Sequence, residues 1–285
     1  MAKTIGNPLS WTARNLAATG HHIAATTLEV GGAAKMNAPV VRALTGDDLH
    51  AALRAGWRDF LASRTDAAFA VLVYPAAGIA LFALGLHLAL LPLLFPLAAG
   101  FALLGPVAAV GLYEISRRRE SGLPADWRQG LSVMQSPAFG AVVVLGLYLA
   151  ALFVAWMLTA RLVYSVTLGP EPPASLGAFV SDVLTTPAGW AMIVAGIGAG
   201  FLFALVALAI SVVSFPLLLD RHVGVPVAVV TSVKVMRRSP RVVLTWGVIV
   251  AAALVIGTLP LFLGLVIVLP VLGHATWHLY RRAIG

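Results

Sequence analysis

The chain has 285 residues, 60% of them hydrophobic and 11% charged, with a formal net charge of +8 and no cysteine. Soluble domains carry roughly 25% charged residues, so the apolar surplus exceeds what a water-soluble core can hide and lipid is the expected solvent for most of the chain. The absence of thiols excludes disulfides, iron–sulfur clusters and thiolate catalysis.

Residues 1–43 are rich in Ala, Gly and Thr, weakly periodic, and without the apolar core of a secretory signal. They are expected to form a mobile or membrane-surface segment ahead of a single membrane domain over 44–285. Thr45-Gly46-Asp47-Asp48 reads as a capping box. It opens a segment whose Leu49, Leu53, Gly56, Trp57, Phe60 and Leu61 share a helical face, with Arg54, Arg58 and Asp59 largely elsewhere. The almost uncharged run 67–113 is too long for one span of roughly 20 residues. It predicts two, over 67–90 and 92–115, with a turn near Gly85–Pro92 that holds His87.

Pro124 is expected to start a second amphipathic helix, with Trp127, Gly130, Leu131 and Met134 on its face, before a third span over 138–160. The loop 161–187 is irregular at Gly169-Pro170 and Pro172-Pro173, then suits a short helix carrying Leu176, Phe179, Val180 and Val183. A fourth span covers 188–214. Pro226 starts a third amphipathic helix with Val230, Val233 and Met236 inward and Lys234, Arg237 and Arg238 outward. Spans five and six follow over 240–257 and 260–280, broken around Gly257–Pro260. Pro124 to Met134 and Pro226 to Met236 have the same register, and Ser136-Pro137 and Ser239-Pro240 follow as cap and first turn. This predicts three repeats of an interfacial helix plus a hairpin, although a surface helix before any span has a similar look.

The expected fold is therefore all-α: a polytopic membrane bundle of six transmembrane helices in three hairpins, each preceded by a cytoplasmic interfacial amphipathic helix. Placing both termini in the cytoplasm puts every Lys and Arg except Arg161 on the inner side. Topology thus accounts for the basic charge. Anionic lipid headgroups suffice as its counterpart, and no nucleic-acid partner is implied.

Ionisable groups inside spans are the default functional candidates in membrane proteins, and here the spans are nearly free of them. Glu114, Asp220, His274 and His278 gather at the cytoplasmic ends of spans two, four and six. One reading makes Glu114, Asp220 and His274 a polar pocket for a proton, a metal or a small ligand. The other makes them helix ends meeting water beside Arg117–Arg119, Arg221, Arg281 and Arg282. His274 and His278 share a helix face, but His87 lies on the opposite side and His222 in a loop, so no second span answers them across a haem. An oxidase core would need several buried histidines together. No phosphate-binding glycine loop, catalytic triad or zinc motif is present; no metal site, cofactor or enzymatic activity is expected.

Three runs carry a family resemblance: LLPLLFPLAAGFALLGPVAAVGLYEISRRRE, VSFPLLLDRHVG and PVLGHATWHLYRR. Over roughly residues 45–283 the chain resembles an uncharacterised family of bacterial integral membrane proteins, catalogued as a domain of unknown function. The resemblance implies a six-span protein of the bacterial inner membrane and no particular activity. The expected function is that of a non-enzymatic accessory or organising membrane protein, acting on the bilayer and on other membrane proteins. The alternative is a transporter or small-ligand- or ion-binding protein using the polar cluster.

Overall fold

A computed structural model describes residues 31, 39–63, 76, 79–80, 83, 90–103, 105–221 and 223–285. The expected first span, His87, His222 and nearly all of 1–43 lie outside the described residues. In chain order the helices are α1 (Gly46–Ala62), α2 (Leu94–Leu103), α3 (Val110–Glu120), α4 (Trp127–Leu131), α5 (Phe139–Thr167), α6 (Leu176–Thr185), α7 (Pro187–Ser211), α8 (Ser214–Arg221), α9 (Val225–Arg238), α10 (Pro240–Thr258) and α11 (Leu265–Ala283). One-turn segments at Leu91–Leu93, Gly105–Ala108 and Ser132–Gln135 connect some of them. Among the described residues the chain forms no strand, and its extended pairing is a single antiparallel bridge, Val41 with Ile284.

Local chemistry sets the helix ends. The Thr45 hydroxyl accepts from the Asp48 N–H, and the Asp48 carboxylate accepts from the Thr45 N–H, so α1 starts with a reciprocal capping box. α4 begins at Trp127 rather than at Pro124, because the Asp126 carboxylate takes the N–H groups of Arg128 and Gln129. α5 runs on to Thr167, beyond the expected 160, since no glycine or proline follows residue 160 until Gly169, whose φ of +101° is left-handed. Pro216 has no N–H to give the Val212 carbonyl. The fourth apolar stretch accordingly breaks after Ser211 and resumes as α8. Ser239 precedes α10 but does not cap it; its hydroxyl accepts from the Leu44 N–H at 2.8 Å.

Among the described residues, three helical stretches are long and apolar enough to cross a bilayer: α5, the run from α7 through α8, and α10, with mean hydropathies of 2.5, 2.6 and 2.0. In lipid no hydrophobic force drives helix to helix, so close approach through small residues does the packing. Gly200 of α7 makes room for the Trp156 ring of α5, which a Cβ there would meet at 3.1 Å, and the Trp156 N–H donates to the Pro96 carbonyl of α2 at 2.9 Å. Gly247 of α10 faces Leu208 of α7. α10 and α11 are joined by a turn in which Leu261 and Phe262 both have positive φ and Gly257 meets Gly264 backbone to backbone.

The basic end has its own layer. There α1 packs on α11, α4 on α3, and α9 on α7 and α8. Two of these contacts are close enough to crowd a side chain at the crossing. A Cβ on Gly56 would lie 2.6 Å from the Ala275 backbone nitrogen, and one on Gly130 would lie 3.1 Å from the Gly111 carbonyl oxygen. The register equivalent on α9, Ser232, is fully buried.

Candidate functional site

The buried face of α1 is a stripe at Leu49, Ala52, Gly56, Asp59 and Ser63. These spacings of three and four are one side of a 3.6-residue helix. Counting apolar residues had put Asp59 off the packed face. The structure buries it at 8% exposure, while Trp57 is 46% exposed. Gly56 explains the difference. By letting α1 touch the α11 backbone, it carries the next turn of the same stripe down onto the α11 and α3 side chains.

Asp59 is thereby the centre of a bonded chain across three helices. Its Oδ2 accepts from the Ser116 hydroxyl at 2.6 Å and pairs with His278 Nε2 at 2.9 Å. The Ser116 oxygen also lies 2.8 Å from His274 Nδ1. Arg119 closes the other side: it sits 3.4 Å from Asp59 Oδ1 and donates to the Asp59 carbonyl and the Ser63 hydroxyl. Ser116 has one proton. Spent on Asp59, it leaves the serine oxygen to accept from His274; turned to His274, it leaves Asp59 to His278 and Arg119. Burial alone would raise the Asp59 pKa, but hydrogen bonds from His278 and Ser116 outweigh it and hold the group at about 2. Asp59 is an anion at every physiological pH.

The other candidates hold different partners. Glu114, 5% exposed, accepts from Arg117 at 2.7 and 2.8 Å and from Arg118 at 2.8 Å. The paired carboxylate, opposed in part by burial, pushes the Arg117 pKa up. Asp220 accepts from the Tyr280 hydroxyl at 2.5 Å and from Arg281 at 3.4 Å, with Arg221 at 3.7 Å. His274, 1% exposed, belongs to the Asp59 chain. Among the described residues Glu114, Asp220 and His274 thus bond to three separate partner sets. Arg281 ties Asp220 to Glu120, which also accepts from the Trp277 N–H at 3.0 Å, and this link reaches neither Glu114 nor His274. His278 joins His274 through Asp59 and Ser116 rather than directly. Further out, Arg282 reaches the capping-box carboxylate Asp48 at 3.2 Å.

Sequence reasoning missed Asp59, Ser116, Glu120 and Tyr280. The first was legible as a member of the 49–52–56–59–63 stripe. The others depend on which helices meet, and no local pattern records that. No group of three or more potential metal ligands comes together among the described residues.

Residues 93–220 match the family model described as "Predicted integral membrane protein (DUF2189)". The resemblance read from the sequence is shown over this stretch. The stretch holds two of the three span-length runs, α5 and the run from α7 through α8, with α10 beyond it; the chain is an integral membrane protein, and the family is one of unknown function. The matched stretch carries α2 through α8, and so holds Glu114, Ser116, Glu120 and Asp220; Asp59, His274 and His278 lie outside it. No curated protein and no solved structure matches the chain.

Proposed function

We propose that this is a non-enzymatic accessory protein of the bacterial inner membrane. In this reading six spans form three hairpins, both termini are cytoplasmic, and the inner face organises neighbouring membrane components. One observation carries it: the carboxylates and imidazoles of the basic end are bonded to one another's helices, through Asp59–Ser116–His274, Asp59–His278, Glu120–Trp277 and Asp220–Tyr280. Such groups fasten α1, α3, α8 and α11 into one plate. The plate turns Trp57, Leu61, Trp127, Leu131 and Met134 outward on α1, α4 and the turn after it. The seating of α4, α9 and α1 on the second, fourth and sixth apolar stretches favours three equivalent units, the first interfacial helix being placed on the last hairpin.

Purification from native membranes after mild crosslinking is expected to retain a membrane-protein partner in fixed proportion. Trp57→Ala with Leu61→Ala should release that partner while the protein itself stays folded.

A second reading, transport or ion binding at the basic end, is favoured by the unbroken hydrogen-bonded chain from half-buried His278 to fully buried His274. It predicts proton or cation flux in liposomes holding the purified protein alone, abolished by Ser116→Ala. Flux of that kind, with no partner recovered, would replace the first reading.

A further inference from the structure

Among the described residues, some cations of the basic end are paired with carboxylates and those of α9 are not. Arg117, Arg118, Arg119, Arg221, Arg281 and Arg282 each have a carboxylate within 4 Å. On α9, Lys234, Arg237 and Arg238 form no ion pair among the described residues, and the sequence of that helix contains no acid. They stand at i, i+3 and i+4, on one face and within side-chain reach of each other, where like charges repel. Arg238 and Arg237 gain something from the C-terminal end of the α9 dipole. Arg241, three residues on, has no such benefit: it is in the first turn of α10, where the dipole disfavours a cation.

These cations border a recess. The extended segment around Val41 is fixed at one side by its bridge to Ile284 and at the other by the Leu44 N–H bond to Ser239. Between this strap and the end of α9 lies a concavity of about 480 Å³, lined by Pro39, Val41, Lys234, Arg237 and Arg238. Its walls are an apolar strap on one side and three cations on the other. Its level is that of a headgroup, because the apolar course of α10 starts at Val242, only four residues beyond Arg238.

We propose that this recess binds a phosphate-bearing anion, with Lys234, Arg237 and Arg238 as its ligands and the Pro39–Val41 strap covering the apolar part. The same chemistry is offered by an anionic phospholipid headgroup and by a free phosphate compound. The site requires a leaflet surface at the basic end, whichever side of the membrane that is, and does not depend on the accessory reading above.

The test uses the full-length protein in nanodiscs. Thermal stability and retained lipid, read by native mass spectrometry, are compared in phosphatidylcholine alone, with 20–30% phosphatidylglycerol added, and with millimolar inorganic phosphate in the phosphatidylcholine discs. Lys234→Gln/Arg237→Gln/Arg238→Gln is set against Arg54→Gln/Arg58→Gln, which removes exposed charge from α1. Retained phosphatidylglycerol that drops at least about tenfold in the α9 variant alone establishes a lipid site. A shift with inorganic phosphate, lost in the same variant, assigns a soluble ligand. Equal losses in both variants, or no dependence on either, would overturn the site and leave diffuse surface attraction. The partner and flux measurements do not enter this result, so failure here is separable from failure of the accessory reading.

Discussion

Asp59 places an unscreened demand on its neighbours: a carboxylate inside a helix contact, fed by a serine, a histidine and an arginine. Its folded pKa of about 2 lies below the ordinary 3.8. The stabilisation is therefore fully present above about pH 4 and is lost as pH falls through about 2, an amount of about 2 kcal/mol. Thermal melts in detergent should show wild type more stable than Asp59→Asn at pH 6, with the gap closing between pH 4 and pH 2. A gap independent of pH would mean that packing rather than charge sets the difference. At the neighbouring carboxylate, Tyr280→Phe and Asp220→Asn should each destabilise. Their double-mutant cycle should return a coupling of about 1–3 kcal/mol, because the two groups share one hydrogen bond.

At the scale of the element, α1 is held by shape before chemistry. A methyl at position 56 would meet backbone atoms of Ala275 at 2.6 and 2.8 Å, and backbone does not step aside. Gly56→Ala should therefore cost about 1–3 kcal/mol and loosen the Asp59 chain with it. Gly46→Ala, at the open start of the same helix, should cost less than about 1 kcal/mol. Limited proteolysis within 39–63 reports both. The existence of α1, its capping box and the short helix after Ser175 were all readable from residue order, because each rests on contacts within four residues. The buried side of α1 was not, since Trp57 and Phe60 outweighed a single aspartate in any count of apolar residues. The aspartate won because its partners, Ser116 and His278, lie 57 and 219 residues away. Pro216 acts four residues before its own position, where the carbonyl it cannot serve marks the break between α7 and α8.

For the whole molecule, the apolar runs and basic turns foretold a membrane bundle, and the span-length helices with the matched family stretch agree with that. Which side faces the cytoplasm is a matter for labelling. A cysteine at Ser175, just before α6, should react with an impermeant maleimide from outside intact cells, while one at Arg128 should react only after the membrane is opened. The reverse pattern would invert the proposed orientation. The candidate site was only partly visible because its members come from both extremes of the domain, α1 and α11, with α3 between them.

That closure bears on how the chain is made. α1 leaves the ribosome early, yet its seat on α11 and the Val41–Ile284 bridge do not exist until the last helix has been synthesised. At translation speeds of about 5–20 residues per second, the interval is some tens of seconds. During that time the Leu49–Ala52–Gly56–Asp59–Ser63 stripe has no partner of its own. A newborn chain stalled before Leu265 would keep that stripe open, so synthesis of α11 sets the moment at which α1 can seat.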